Sequence, residues 1–157
     1  MHELIAYTRT NNSTAPYGCS IYSEDGELLA SACGNHLSPI NHAEILAIDA
    51  CAKKYPNIKW NTLTLYTTGE PCCMCAAACC WANLKEVVYA TGIPLMLELW
   101  GVESELRAEF IINNHPKKPN LIIGICEEES NLMFKEYKNR FAAALNKYRW
   151  PLQSKRA

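Results

Sequence analysis

The sequence predicts an α/β fold, with a five-stranded mixed sheet and helices on both of its faces. A hairpin signal near the N-terminus indicates one antiparallel strand pair, and the strand–helix alternation after it indicates parallel strands joined by helices. The chain has 157 residues, of which 49% are apolar and 20% charged, so it is long enough to bury a core. We therefore expect a single domain over residues 1–157.

Ten elements are expected, in the order α β β α β α β α β α. The strands are predicted over residues 19–22, 28–33, 63–67, 86–90 and 121–126. The helices are predicted over residues 2–11, 42–54, 71–82, 95–112 and 130–149.

The first four elements follow from apolar spacing and turn residues. Apolar residues at Leu4 and Ile5 favour a short first helix. Asp25-Gly26 lies between two strand patterns and is a typical hairpin turn pair. Asn41 is a favourable N-cap for the second helix. The apolar stripe of that helix is expected at Ile45, Leu46, Ile48 and Ala52.

Proline and glycine delimit the later elements. Pro56 ends the second helix, and Pro71 lies where the third begins, a position that proline favours. Gly101 interrupts the fourth helical pattern, which we expect to be imperfect. Pro116 and Pro119 mark a loop before the last strand and the last helix.

Composition argues against a membrane or secreted protein. No apolar run approaches the ~20 residues that cross a bilayer, and the N-terminus lacks the basic flank of a signal peptide. Nine cysteines, five of them within residues 72–80, do not fit a secreted disulfide framework. We therefore expect a reducing compartment, the cytoplasm. Three of the clustered thiols are expected to be small buried apolar groups, namely Cys73, Cys79 and Cys80.

Charge is unevenly distributed along the chain. Residues 135–157 carry a net charge of +6, while the whole chain carries −1. Such a segment attracts nucleic acid in some proteins, and in others it is only the solvated face of a helix. We favour the solvated face.

Two short motifs carry the chemistry. His42 and Glu44 form a His-x-Glu triplet, and Pro71, Cys72 and Cys75 form a Pro-Cys-x-x-Cys sequence about thirty residues later. One imidazole and two thiolates supply three protein ligands, and an open fourth position is typical of a catalytic zinc. The same pair of motifs is the known signature of zinc deaminases.

The expected positions of these residues suit a hydrolytic reaction. Residues three apart on a helix share a face, so both cysteines can reach one ion, and a helix N-terminus favours the thiolate. Zinc lowers the pKa of water in its open position towards ~7. Glu44 could then carry the proton from this hydroxide nucleophile to the ring nitrogen and on to the leaving amine, releasing ammonia.

Three alternatives remain open. A structural zinc would need a fourth protein ligand, for which His36, His115 or Cys73 could be considered. A Cys72/Cys75 redox pair would leave the His-x-Glu triplet unexplained. A catalytically dead binding subunit would be expected to lack one of the four motif residues, and all four are present.

On these motifs the sequence resembles the cytidine deaminase superfamily, in the branch of guanine deaminases and tRNA adenosine deaminases. The resemblance implies a three-layer α/β/α sandwich with a five-stranded mixed sheet. It implies one Zn²⁺ per chain on His42, Cys72 and Cys75, with Glu44 as the catalytic proton shuttle. Substrate contacts are implied at Asn35, Ala43, Trp81 and Glu103.

The substrate expected from the resemblance is an aminated purine such as guanine. Pro16-Tyr17-Gly18 is similar to a Pro-Phe-Gly sequence of guanine deaminases, and Tyr17 could line the pocket or pack in the core. Trp81 could likewise border the substrate or pack in the core. Residues 93–115 are apolar and acidic, which disfavours a phosphate backbone. A tRNA adenosine deaminase, or a deaminase of cytosine or another heterocycle, is the alternative.

Relatives in this superfamily form dimers, so the resemblance also implies a homodimer. In such a dimer, Tyr148 or Trp150 of the C-terminal tail could close the partner's site.

Overall fold

The computed structural model describes residues 1–35, 37–101 and 103–147. The strands are β1 (Gly18–Tyr22), β2 (Leu28–Cys33), β3 (Thr64–Gly69), β4 (Glu86–Thr91) and β5 (Asn120–Ile123). The helices are α1 (His2–Asn11), α2 (Ala43–Lys54), α3 (Cys73–Ala82), α4 (Ile93–Trp100), α5 (Ala108–Asn113) and α6 (Glu127–Lys147). A single 3-10 turn, Trp60–Thr62, precedes β3.

The five strands form one mixed sheet in the order β2-β1-β3-β4-β5. β1 is antiparallel to both β2 and β3, and Gly26 turns the β1–β2 hairpin with a positive φ of 82°. β3, β4 and β5 run parallel. The predicted mixed sheet, with its leading hairpin, is confirmed.

Helices cover both faces of the sheet and create two separate cores. On one face α2 and α3 bury Ala47, Cys51 and Cys79 against β1 and β3. On the other face α1, α4 and α6 meet around Met96 and Phe134. The three-layer α/β/α arrangement is therefore confirmed.

Three predicted elements have clearly different bounds in the structure. The single imperfect helix expected over 95–112 is two helices, α4 and α5, because Gly101 ends α4 with a φ of 65°. The last strand ends at Ile123, three residues early, and α6 begins at Glu127 instead of Ser130. Positive φ values at Gly124 and Cys126 turn the chain between these two elements.

The predicted N-cap and apolar stripe of α2 are wrong. His42 occupies the N-cap position, and the side chain of Asn41 instead donates to Asn35 Oδ1 at 2.9 Å. The face of α2 that is buried carries Ala43, Glu44, Ala47 and Cys51, whereas the predicted stripe is only partly buried or exposed. Small side chains let this helix lie close to β1 and β2, which leaves the larger ones at its flanks.

None of the helices in the described part of the chain combines the length and apolar character that a bilayer crossing requires. All nine cysteines are free. Of the three thiols expected to be buried, Cys79 and Cys80 are buried and Cys73 is only partly so.

Candidate active site

Three metal-binding side chains converge at the start of two helices. His42 is the N-cap of α2, Cys72 is the N-cap of α3, and Cys75 lies in the first turn of α3. His42 Nδ1 lies 3.5 Å from the sulfur of Cys72 and 3.5 Å from that of Cys75. The ligand atoms all lie within 4.8 Å of one another.

These distances match a tetrahedral zinc site. Zinc–sulfur bonds of about 2.3 Å and zinc–nitrogen bonds of about 2.0–2.1 Å put sulfur and nitrogen about 3.6 Å apart at tetrahedral angles. The two sulfur–nitrogen distances of 3.5 Å agree with that separation. The three side chains therefore fit a zinc ion with one position left for water or substrate.

The three candidate ligands influence one another's protonation through their mutual contacts. Hydrogen bonds from Cys75 and His42 lower the pKa of the Cys72 thiol to about 4, although burial opposes this shift. The hydrogen bond to Cys72 raises the pKa of His42 to about 9. The hydrogen bond between Cys72 and Cys75, together with burial, raises the pKa of Cys75. At neutral pH only Cys72 is thus already in the form that ligates metals, and a bound zinc ion would displace the protons of His42 and Cys75.

Glu44 lies beside this group but has other partners. It is buried at the second position of α2, and its Oε1 is 3.0 Å from the hydroxyl of Thr67 on β3. Burial, and then the charge of Cys72, raises the pKa of the Glu44 carboxyl. A carboxyl group with a raised pKa exchanges protons more readily near neutral pH, as general acid–base chemistry requires.

A cavity of about 290 Å³ opens above His42 and Glu44. The loop between β2 and α2 forms one side of it, and α6 forms the opposite side with Phe141 and Leu145. Of the predicted substrate contacts, Asn35, Ala43 and Glu103 line this cavity and Trp81 does not. Tyr17, which was expected to line the pocket or pack in the core, does both, since its ring packs on Phe134 at 5.4 Å.

Comparison with known proteins decides the family. The profile of the cytidine and deoxycytidylate deaminase zinc-binding region matches residues 1–91, more than half of the chain. This chain belongs to that deaminase family.

Relatives of this deaminase differ in substrate. It is 30% identical over 139 residues to the tRNA-specific adenosine deaminase subunit tad2 of Schizosaccharomyces pombe, covering 87% of this chain but only 34% of that protein. It is 37% identical over 78 residues to the guanine deaminase of Bacillus subtilis, 48% of this chain and 49% of that one. The matched part of this chain thus covers about a third of the length of the Schizosaccharomyces pombe protein and about half of the length of the Bacillus subtilis protein.

Solved structures share the deaminase fold. The structure of a guanine deaminase from Nitrosomonas europaea superimposes with a TM-score of 0.77 at 20% identity, covering 88% of this chain and 82% of that one. This likeness supports the three-layer fold described above.

The indole of Trp81 does not line this cavity, and the alternative that it packs in the core of the deaminase is wrong. Its side chain is 68% exposed and lies edge-on to the ring of His115 at 4.8 Å. Cys75 and Cys79 face the interior from the same helix, and Trp81 follows Cys79 by two residues. At 3.6 residues per turn this spacing puts Trp81 on the opposite side of α3.

Glu103 reaches the cavity from a segment between α4 and α5. The hydroxyl of Tyr17 donates to Glu103 Oε1 at 3.2 Å, and burial raises the pKa of the Glu103 carboxyl. Four residues later Arg107 pairs with the fully buried Glu70, at 2.7 Å between Nη2 and Oε2. This ion pair connects the segment between α4 and α5 to the end of β3, next to Pro71 and the two cysteines.

Sequence reasoning missed Glu70, Arg107, Asn41 and the contribution of α6. Glu70 directly precedes the Pro-Cys-x-x-Cys motif. A charged residue at the end of a buried strand could have indicated that its carboxylate needs a buried partner. Phe141 and Leu145 gave no signal, because they lie about a hundred residues from the His-x-Glu triplet in the chain.

The other candidate ligands do not join the zinc site. His115 Nδ1 instead lies 2.9 Å from the carbonyl oxygen of Lys117, and Cys73 is outside the converging group. His36 and the tail residues Tyr148 and Trp150 lie outside the described residues.

One further group of metal-ligating side chains occurs among the described residues, formed by His2, Cys126 and Glu129. There Nδ1 of His2 faces Glu129 at 2.5 Å and Nε2 faces Cys126 at 3.4 Å. Because the two partners lie on different ring nitrogens, the imidazole links them in a hydrogen-bonded chain. The ring of His2 therefore does not direct one nitrogen at a point shared with both partners. In the zinc site, by contrast, the same nitrogen of His42 faces both cysteines.

Proposed function

We propose that this deaminase hydrolytically removes an amino group from an aminated nucleobase or nucleoside, with a purine such as guanine as the favoured substrate. The observation that carries the proposal is the convergence of His42, Cys72 and Cys75 beside the buried Glu44 at one cavity. A cavity of about 290 Å³ is near the lower limit of small-molecule sites, about 300–1,000 Å³, which suits a single heterocycle.

In the proposed reaction His42, Cys72 and Cys75 hold the zinc cofactor. Zinc bound there supplies a Lewis acid that makes water nucleophilic near neutral pH. Glu44 accepts a proton from the attacking water and delivers it to the ring nitrogen. It then assists transfer of a proton to the departing amine. One water is consumed, the carbon–nitrogen bond breaks, and the products are ammonia and a carbonyl base.

Glu103 supports a base that carries hydrogen-bond donors. Its carboxyl lines the cavity, and its only described side-chain hydrogen bond comes from the Tyr17 hydroxyl. Oxygens of a carboxyl group accept N–H groups, which guanine offers at its ring and amino nitrogens. The relationship to the guanine deaminase of Bacillus subtilis supports the same substrate.

A tRNA adenosine deaminase is the second candidate. The relationship to the Schizosaccharomyces pombe subunit favours it, and so do exposed cations on α6. These cations are Lys135, Lys138, Arg140 and Lys147. Their exposure also agrees with the solvated face expected from the sequence.

Ammonia release across a substrate panel tests the proposal. Guanine, adenine, cytosine, their nucleosides and tRNA are assayed in parallel, with the Glu44→Ala variant as the blank. We expect guanine to be deaminated and tRNA to remain unchanged. Inosine in tRNA, without turnover of any free base, would contradict the guanine proposal and support the second candidate.

We also propose that the deaminase is a homodimer through the outer face of α3 and α5. Two large side chains are exposed there: Trp81 at 68% and Phe110 at 58%. Light scattering is expected to give twice the chain mass, and the double substitution Trp81→Glu with Phe110→Glu is expected to give the monomer. Leu132→Glu, on the exposed side of α6, is the control that should leave the dimer intact.

A further inference from the structure

The loop that leads into the zinc site is closed by two hydrogen bonds between the same two residues. The backbone N–H of Asn35 donates to the carbonyl oxygen of Asn41 at 3.0 Å. The side-chain Nδ2 of Asn41 donates back to Asn35 Oδ1 at 2.9 Å. Only six positions separate the two residues, and His42 follows immediately. The two hydrogen bonds therefore close the loop immediately before His42, a candidate metal ligand.

These contacts determine how the Asn35 amide is turned. Its Oδ1 accepts from Asn41 Nδ2 and also from the backbone N–H of Leu37 at 3.0 Å. A carbonyl oxygen has two lone pairs, so both are used. The opposite orientation would place the NH₂ group against two donors and lose both bonds.

One polar group of Asn35 is then left for a ligand. Its Nδ2 has no hydrogen-bond partner within residues 1–35, 37–101 and 103–147, and the residue lines the cavity. An amide nitrogen of this kind donates and does not accept. A bound heterocycle must therefore offer an acceptor at this place.

We propose that Asn41 is a positioning residue that holds the Asn35 amide with its NH₂ group available to the cavity. The site thereby selects heterocycles that present an unprotonated ring nitrogen to Asn35. This inference rests on the proposed function, because the cavity must be the substrate pocket. It assigns no contact with the reacting atoms to Asn41.

Deaza analogues test the requirement for an acceptor. Each replaces one ring nitrogen of the purine by C–H, so the analogue that lacks the nitrogen facing Asn35 loses one hydrogen bond. The wild-type enzyme is expected to prefer the parent base over at least one of 3-deazaguanine and 7-deazaguanine by about 3- to 10-fold in kcat/KM, the range for one net hydrogen bond. Equal activity on the parent and both analogues would overturn the proposal.

The Asn41→Ala variant tests the positioning role. Without the Asn41 donor, only the backbone N–H of Leu37 still holds the Asn35 amide, so the amide is less firmly oriented and the preference for the parent base is expected to fall towards one. The loss should appear mainly as a higher KM for the parent base. Asn114→Ala, which removes an exposed amide that donates to its own helix, is the matched control and should keep the preference. Zinc content and Tm show whether each variant is folded.

A binding experiment separates this inference from the proposed function. The Glu44→Ala and Glu44→Ala/Asn41→Ala variants are titrated with the parent and deaza bases by calorimetry. Discrimination that disappears in the double variant supports the inference even if the wild type turns over another substrate. Turnover of guanine with discrimination unchanged in Asn41→Ala would overturn the inference and leave the proposed function standing. Absence of binding by all three bases would overturn both.

Discussion

At the scale of single residues, two carboxyl groups, one buried and one half-buried, face one cavity in different surroundings. Glu44 lies at the start of α2 near the Thr67 hydroxyl, and Glu103 accepts from the Tyr17 hydroxyl. Burial is the largest cause of the raised pKa of both. Their expected roles differ, because Glu44 adjoins the three metal-binding side chains on α2 while Glu103 reaches the cavity from the segment between α4 and α5.

Glu44→Gln is expected to lower kcat by about 100- to 10,000-fold, the usual contribution of a placed proton-transfer group. The amide keeps the shape and can still accept from Thr67, so Tm and zinc content should change little. Ammonia release and elemental analysis measure both effects. In His42→Ala, by contrast, activity and zinc should be lost together. Retained activity in Glu44→Gln would show that Glu44 does not transfer a proton in the reaction.

Glu103→Gln is expected to change how stability depends on pH. A raised folded-state pKa means that the native state holds the proton more tightly than the unfolded chain. The stability of the wild type relative to the variant should therefore fall as pH rises from about 4 through the raised pKa, and the two should agree at low pH.

Thermal unfolding of wild type and Glu103→Gln between pH 4 and 8 measures this difference. Both proteins are first treated with a chelator, because a nearby cation would favour the carboxylate. If the difference in Tm between the two proteins stays constant over this range, the raised pKa of Glu103 is contradicted.

At the scale of elements, Glu70 joins three parts of the chain. Its carboxylate follows β3 and accepts the backbone N–H of Ile93 at the start of α4 and that of Ala108 at the start of α5, both at 2.9 Å. Arg107 adds a donor at 2.8 Å from Oε1. A carboxylate at two helix N-termini is electrostatically favourable, and this one also anchors the segment that carries Glu103.

Arg107→Ala is expected to lower the free energy of unfolding by about 2 kcal/mol. The estimate is for loss of charge-assisted hydrogen bonds to a buried carboxylate, reduced because Arg107 is 44% exposed. Lys85→Ala removes the exposed pair with Glu24 and should cost much less, because solvent screens this pair. Urea unfolding of both variants measures the contrast, and equal costs would show that the Glu70 pair has no special role.

At the scale of the whole molecule, the cavity lies where the two cores meet. The first half of the chain supplies its metal-binding floor, and α6 covers it from the other face of the sheet with Phe141 and Leu145. Phe141 also packs against Trp100 and Tyr17, at ring distances of 4.8 Å and 5.4 Å. Stability and substrate enclosure therefore depend on the same side chains.

Phe141→Ala is expected to lower the free energy of unfolding by about 3–5 kcal/mol and to raise KM. The large loss follows from removing a buried ring, and the KM effect follows from opening one side of the cavity. Leu132→Ala, an exposed position on the same helix, is the control and should change the free energy by no more than about 0.5 kcal/mol. An unchanged KM in Phe141→Ala would show that α6 does not enclose the substrate.

Local patterns predicted the sheet and the metal-binding group well. The hairpin turn at Gly26 and the His-x-Glu and Pro-Cys-x-x-Cys motifs are short-range signals, so they can be read without knowing the fold. Trp81 was misplaced because a residue near the end of a short helix can face either way, and apolar character alone does not decide which. The break at Gly101 was expected, but two separate helices were not, because the contacts of Glu70 with both helix starts are distant in sequence.

The amino-acid sequence by itself determined the order of the five strands and the four residues of the deaminase motif, because both are carried by local patterns of residue type and spacing. Only the tertiary structure decided which residues enclose the cavity. Asn35, Glu103 and Phe141 come from three distant segments, and their approach depends on packing two helical layers against one sheet. That packing is a property of the whole chain, which no local pattern contains.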